Sequence, residues 1–310
     1  ELQLQDVEKP VPKDDQVLIK VRAACLNSWD WDLLQGTYFF VRVLGGMFKP
    51  KYKILGCDVA GIVKSVGKDV KEFRPGDEVF GDLSGDNFGC FAEYVCGSAK
   101  HLATKPAELS FEDACTIPQA GLLALQGLRL KGELQPGMEV LINGAGGGVG
   151  MFAIQLAKIY GCTVTGVDRS SKFDIMRELG ADRVIDYQSE DFTLNGKKYD
   201  FILENIATRS MWEYQRALTP SGTFVMTGGK TPRIFQLLFF GKFLSRGGKK
   251  LRLVGLKYSP EDLTYLAGLV VDGKIKPVID KVFPLEETSD AFHHFGKGDY
   301  KGKVVVAVEH

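Results

Sequence analysis

Cysteines are few and scattered in this 310-residue chain: Cys25, Cys57, Cys90, Cys96, Cys115 and Cys162, with no Cys-x-x-Cys pair. That excludes a dense disulfide framework and predicts isolated thiols in a reducing compartment, with the cytosol the expected one. Excess charge of either sign is also lacking, since Lys plus Arg and Asp plus Glu both total 39. No long-range field then draws the chain to nucleic acid or to an anionic membrane, and neither is expected as a partner. No apolar run approaches the ~20 residues that span a bilayer, and no basic segment leading into an apolar one opens the chain. The start at Glu1-Leu2-Gln3 is abrupt and suggests that a first strand is missing from this numbering. The length fits two domains of ordinary size, each with a core of its own.

What the chain does have is glycine at one telling place. Val140-Leu141-Ile142-Asn143 is a β-type run that stops at Gly144-Ala145-Gly146-Gly147-Gly148-Val149-Gly150, after which Met151, Ile154, Leu156, Ala157 and Ile159 follow at helical spacing. Strand, tight turn and helix are predicted. Glycines at such a turn let the backbone bend sharply and approach a ligand, and the N–H groups opening the helix then face a phosphate. A second β-type run, 163–167, ends at Asp168, 18 residues after Gly150, about where a ribose-binding acid is expected. The pattern points to a dinucleotide pyrophosphate site.

Residues 1 to about 115 read as strands and turns with little helix, in an antiparallel and possibly barrel-like domain. Strands are expected over 16–23 and 56–66, with a bulge or close packing at Gly61, after the Pro75-Gly76 turn, and over 89–95. Ser110 with Asp113 forms a capping-box pattern, and a helix is predicted over 120–130. Strands and helices then alternate through 140–142, 151–160, 163–167, 171–179, 183–186, 199–204, 210–218 and 223–227, which argues for a parallel sheet covered by helices. The segment 234–244 is apolar on most sides and too short to span a membrane, so it reads as a buried helix or a substrate-covering lid. A strand over 251–256, a helix opened by Ser259-Pro260-Glu261 and a final strand over 303–308 complete the pattern.

Several stretches together resemble the medium-chain dehydrogenase/reductase superfamily, and within it the zinc-free quinone oxidoreductase-like branch. They are Val21-Arg22-Ala23-Ala24 leading to Asn27 and Asp30, Gly56 with Asp58-Val59-Ala60-Gly61-Ile62-Val63, Arg74 to Gly81, Phe91-Ala92-Glu93-Tyr94-Val95, Ala145 to Gly150, and Leu179 to Asp182 with Val184-Ile185-Asp186-Tyr187. The resemblance covers nearly the whole chain. It implies an α/β architecture in which a doubly wound parallel Rossmann domain (118–258) is inserted into a mostly-β, partly barrel-like, GroES-like catalytic domain (1–117 plus 259–310), with the active site in the cleft. It also implies dimerisation through the Rossmann sheet edge.

Zinc-dependent members of the superfamily hold their catalytic metal at positions that here read Asn27, Gly56-Cys57-Asp58 and about Ala120, so two of three ligands are lost and no metal is expected. The lobe of four clustered cysteines that binds structural zinc is missing as well. Oxidising a plain alcohol needs a metal or a Tyr/Lys pair to stabilise the alkoxide, whereas a quinone or an activated C=C bond is itself electron-deficient. An NAD(P)H-dependent reductase of quinones or α,β-unsaturated carbonyls is therefore expected, with an alcohol dehydrogenase or a non-catalytic cofactor-binding protein of the same fold as alternatives. Asn27, Asp30 and Tyr38 stand in the stretch corresponding to the family's substrate-cleft motif and are the catalytic candidates. Asn27 would hydrogen-bond the acceptor oxygen or the nicotinamide ribose, Tyr38 would donate a proton, and Asp30 is equally readable as structural. The histidines (101, 293, 294 and 310) read as exposed or packing residues, and Leu123 stands where many relatives have threonine.

The cofactor site is assigned to Ala145, Gly146, Gly147, Gly148, Val149 and Gly150, with Asn205, Thr227 and Gly228 at the nicotinamide end by strand-end position. Asp168 argues for NAD(H), because an acid there repels a 2′-phosphate. Arg169, Ser170 and Lys172 stand where relatives of this branch grip that phosphate, and they argue for NADP(H). Dual use with a modest preference for the phosphorylated form is expected.

Overall fold

The computed structural model describes residues 2–36, 39–129 and 134–309, and its chain divides into two compact units. The first comprises residues 1–120, 258–273 and 277–310, and the second 121–257 and 274–276.

In chain order the elements up to the second unit are β1 (Gln16–Cys25), α1 (Ser28–Gln35), α2 (Phe39–Gly45), β2 (Asp58–Val66), β3 (Glu78–Asp82), β4 (Tyr94–Ser98), β5 (Leu102–Thr104), α3 (Phe111–Thr116) and α4 (Pro118–Arg129). There follow β6 (Glu139–Asn143), α5 (Gly148–Ile159), β7 (Thr163–Asp168), α6 (Phe173–Glu178), β8 (Arg183–Asp186), β9 (Tyr199–Glu204), α7 (Met211–Ala217), β10 (Leu218–Met226), α8 (Thr231–Leu244) and β11 (Lys250–Leu253). The chain returns to the first unit with α9 (Pro260–Val271), β12 (Ile279–Pro284), α10 (Thr288–Gly296) and β13 (Lys303–Ala307).

The first unit is built on a seven-stranded sheet in the order β12-β13-β1-β2-β3-β5, with β4 also paired to β1. All of its pairings are antiparallel except β12 with β13. Alternating Val and Ile residues of β1, β2 and β3 (Val17, Ile19, Val21, Val59, Val63, Val79) fill one core. Gly61 is required where it stands: a Cβ there would lie 2.3 Å from the Lys20 carbonyl oxygen, and the β1–β2 register slips between Val21 and Ala23 opposite it. The Arg74–Asp77 turn reverses at Gly76 with φ +99°, and the Ser110 hydroxyl accepts the Asp113 N–H at 2.9 Å to open α3. The strand expected over 89–95 lies later, at 94–98, because Gly89 takes φ +103° and the chain is still turning there. Helices α1, α2 and α10 and strand β12 add more structure to this unit than the reading of strands and turns foresaw.

In the second unit six strands lie in the order β11-β10-β9-β6-β7-β8, every pair parallel. This is the doubly wound order, in which the winding reverses between β6 and β9; ligands of such sheets collect at the carboxyl ends of the strands at that reversal. β6 and β9 are buried almost throughout, as expected of strands covered on both faces. The α8 segment departs from its sequence reading. Only Leu237, Gly241 and Leu244 are buried, whereas Phe235, Leu238, Phe239, Phe240 and Phe243 are 47–75% exposed. A helix lying on a sheet can bury one stripe, and apolar residues on its other side stay in water.

Candidate functional site

The glycine turn follows from where β6 ends. Gly144 reverses the chain with φ +76°, and the N–H groups of Gly144 and Ala145 both donate to the Val167 carbonyl, at 3.0 and 3.1 Å. Gly147 is the N-cap of α5 in extended conformation, and the helical ladder begins with Met151 N–H donating to the Gly147 carbonyl at 3.0 Å. Gly148, Val149 and Gly150 thus present N–H groups that have no partner within the helix. A Cβ at Gly150 would lie 2.2 Å from the Gly144 oxygen and 2.5 Å from the Ala145 Cα, so only glycine allows the helix to close on the turn. A Cβ at Gly147 would meet nothing nearer than 3.6 Å; the backbone is bare there on the side where a ligand would approach. Ala145, in the first glycine position of the fingerprint, is fully buried against the β7 strand at Gly166. This cradle fits a dinucleotide pyrophosphate.

Asp168 ends β7 beside the turn. Its Oδ2 accepts Gly146 N–H at 2.8 Å and its Oδ1 accepts Arg169 N–H at 2.8 Å. The Lys172 ammonium, almost wholly buried, stands 3.7 Å from the same carboxylate and lies over Gly146. Arg169 donates from Nε to the Tyr187 hydroxyl at 3.0 Å, and Ser170 is exposed. Asn205 and Thr227 also come together: the Thr227 hydroxyl donates to Asn205 Oδ1 at 2.6 Å, while Asn205 Nδ2 donates to the Asn143 carbonyl at 2.8 Å. The ends of β6, β9 and β10 are thereby tied at the winding reversal, with Gly228 next in the chain. Glu204 anchors this edge. Its carboxylate accepts Asn143 Nδ2 at 2.9 Å and the N–H groups of Ile206 and Ala207 at 2.8 and 2.6 Å, and burial raises its pKa.

In the first unit a buried polar cluster lies below the ends of β1, β2 and β13. Asn27 Nδ2 donates to Asp58 Oδ2 at 2.9 Å and faces Cys57 Sγ at 3.2 Å; its Oδ1 accepts the Lys303 ammonium at 2.5 Å. Lys303 also reaches Asp58 Oδ2 at 3.3 Å, and Asp58 Oδ1 accepts Gln119 N–H at 3.0 Å. Asp30 accepts Asn27 N–H at 3.0 Å and Gly56 N–H at 2.9 Å, which fixes the start of α1 against the approach to β2. Asp82 Oδ1 accepts Ser84 N–H at 2.7 Å, whereas its buried Oδ2 has no hydrogen-bond partner among the described residues. Burial pushes the carboxyls of Asp30 and Asp82 up to about 7 and raises that of Asp58. Burial opposes charge on Lys303 too, but the neighbouring Cys25 and Asp58 outweigh it and its pKa is raised.

Asn27 and Asp30 are thus brought together, whereas Tyr38 lies outside the described residues. The Asn27 amide has both ends engaged inside the protein, so in this arrangement it offers an acceptor no free hydrogen. Lys303, Gln119, Asp82 and Glu204 escaped the sequence reading; the one available signal was a lysine heading an otherwise apolar strand, 303–307. His101 Nδ1 contacts Asp86 at 3.0 Å and His294 Nε2 contacts Asp280 at 2.6 Å, both away from this cluster's hydrogen bonds. Cys57, Asp58 and Asp82 present three donor atoms within 4.8 Å of one another. They do not suit zinc, because the ammonium of Lys303 already stands against Asp58 and a second cation there would be repelled.

Family comparisons agree with this geometry. Residues 13–107 match the model described as alcohol dehydrogenase GroES-like domain, and residues 179–306 the one described as zinc-binding dehydrogenase. A chloroplastic quinone oxidoreductase of Triphysaria versicolor is 34% identical over 98% of this chain and 93% of its own length. The 2-methylene-furan-3-one reductase of Solanum lycopersicum is 35% identical over 97% of this chain and 74% of its own. Among solved structures, the quinone oxidoreductase of Coxiella burnetii superposes with a TM-score of 0.88 at 31% identity, covering 99% of this chain and 95% of that one. The chain belongs to the medium-chain dehydrogenase/reductase superfamily, in its quinone oxidoreductase-like branch.

Proposed function

We propose that this protein is a zinc-independent, NAD(P)H-dependent reductase that transfers hydride to quinones or α,β-unsaturated carbonyls. Relatives named as quinone oxidoreductases, a 2-methylene-furan-3-one reductase and an NADPH-dependent alkenal/one oxidoreductase support it. The observation that carries it is the turn of Gly144 to Gly150, whose bare backbone at Gly147 and close packing at Gly150 suit a dinucleotide. The bound nicotinamide supplies the hydride. The protein binds and orients it through Gly147 to Gly150 and Asp168, and ties Asn205 to Thr227 at the strand ends. The Lys303 ammonium stands against Asp58 and Asn27, where a metal would need those side chains as ligands, which supports a hydride transfer drawn by the acceptor's own electron deficiency. Tyr38 is the proposed proton donor, and Asn27 and Asp30 serve as framework of the polar cluster.

For the cofactor, dual use with a modest preference for NADP(H) is proposed. Support comes from Lys172, which lies 3.7 Å from Asp168 and offsets the negative charge that would otherwise repel a 2′-phosphate. Arg169 and Ser170 are on the neighbouring surface to receive that phosphate. Michaelis constants for NADPH and NADH measure this: a ratio within about tenfold in favour of NADPH agrees, and a ~100-fold preference for NADH contradicts it. A homodimer is proposed through β11, an edge strand with β10 as its one partner in the sheet. Six free thiols suit a reducing compartment, and among the described residues no helix is long and apolar enough to cross a membrane.

A further inference from the structure

Between Glu213 and Glu261 the chain contains no acidic residue and nine basic ones, although the whole protein is neutral. Helix α8 lies in the middle of this stretch. Its inner stripe, Leu237 and Leu244 with Ile234, packs on Leu251 and Leu253 of the edge strand. Its outer stripe begins with Phe235, Leu238 and Phe239 and continues one turn later as Lys242, with Arg246 exposed just beyond the helix end, so apolar and basic groups stand together at the solvent-facing side. Phe239 is 75% exposed and Leu238 61%. Phe240 lies against half-exposed Trp212, ring centroids 5.6 Å apart, and the Arg246 guanidinium lies over the Phe243 ring at 4.2 Å. Lys230 and Lys250 are exposed at the two ends of the segment.

We propose that the outer face of α8 docks on an anionic phospholipid surface. Phe and Leu side chains beside Lys and Arg, on a helix too short to span, are what an interfacial helix presents: the rings enter the boundary between headgroups and acyl chains, and the cations meet lipid phosphate. A second copy of the chain fits less well, because a two-fold contact would add a second set of Lys242 and Arg246 to a patch whose stretch of chain, 214–260, holds no acidic residue to offset them. The proposal goes beyond the reductase reading and does not depend on it. Its consequence for a reductase of apolar quinones is that the enzyme works beside the phase in which such acceptors dissolve.

Co-sedimentation of the full chain with vesicles, read without turnover, tests this. Vesicles of equimolar phosphatidylcholine and phosphatidylglycerol should carry the protein down, those of phosphatidylcholine alone far less, and added salt should release it. Phe235→Ser with Phe239→Ser, and separately Lys242→Glu with Arg246→Glu, should each weaken binding about tenfold or more, while exposed Lys71→Glu in the other unit should not. All four substituted positions are at the surface, and unchanged thermal unfolding verifies that the variants fold. Equal binding to both vesicle types, or binding to neither, overturns the proposal. So does a wild type whose oligomeric state, by light scattering, falls with these substitutions while lipid binding does not.

Discussion

Lys303 shows how much one buried charge can decide. Its ammonium is shared by Asn27 and Asp58, and it is the only cation among the described side chains bonded within this cluster. Lys303→Met removes it and leaves the buried Asp58 carboxylate without a countercharge, though still bonded to Asn27 and Gln119, and strips the Asn27 Oδ1 of its ammonium partner, which should cost about 3–5 kcal/mol of stability by denaturant titration. Adding Asp58→Asn should recover a good part of that loss; a double variant no better than the single one would show that the pair is not coupled. Asp82 makes the opposite case, since one of its oxygens is buried with no hydrogen-bond partner among the described residues. Burial pushes its carboxyl up to about 7, from an ordinary value of 3.8, so the folded state binds the proton more tightly. The stabilising contribution of the protonated acid is complete below about pH 4 and is lost as pH rises through about 7. Asp82→Asn should therefore be more stable than the wild type at pH 8, by about 1 kcal/mol or more, with the advantage shrinking toward pH 4. Stability curves of the two proteins at those pH values check it, and parallel curves would refute the assignment. The family resemblance set Asn27 together with Cys57 and Asp58 as former metal-ligand positions and Asn27 and Asp30 in the cleft motif, but Lys303 was not legible: it lies 276 residues beyond Asn27, and spacing along a chain carries no record of such a contact.

At the scale of the element, the strand, turn and helix of 140–159 were fully legible, because each glycine there answers a local backbone demand. The demands differ, and two substitutions separate them. Gly150→Ala drives a Cβ into the Gly144 carbonyl and should both lower the melting temperature and raise the KM for cofactor. Gly147→Ala finds open space in an extended backbone, so it should leave stability within about 0.5 kcal/mol while still raising that KM about tenfold or more. Thermal melts with steady-state kinetics on both variants test the distinction; a Gly147→Ala protein with normal kinetics would argue that the pyrophosphate sits elsewhere. For helix α8 the sequence allowed a buried helix or a substrate-covering lid, and the buried helix fails: burial depends on what covers a face, and the sheet covers one stripe only. The strand at 94–98 was displaced for a local reason, the left-handed turn at Gly89.

At the scale of the whole molecule, alternation of strands and helices after residue 139 was enough to give the parallel sheet, and the doubly wound arrangement was implied by the family resemblance. The mixed sheet of the first unit was harder, because it joins β1 near the start to β13 near the end. That long-range pairing also brings Lys303 to Asn27, so fold and polar cluster share one cause. The central claim is that this arrangement reduces electron-deficient acceptors without a metal. It is tested most directly by following NADPH oxidation by the full chain after exhaustive chelation, with a small panel of quinones and enones and with simple alcohols plus NADP⁺. Acceptor-dependent oxidation that survives chelation, with no turnover of alcohols, is the expected result. Activity lost on chelation and restored by zinc, or alcohol oxidation in place of quinone and enone reduction, would contradict it.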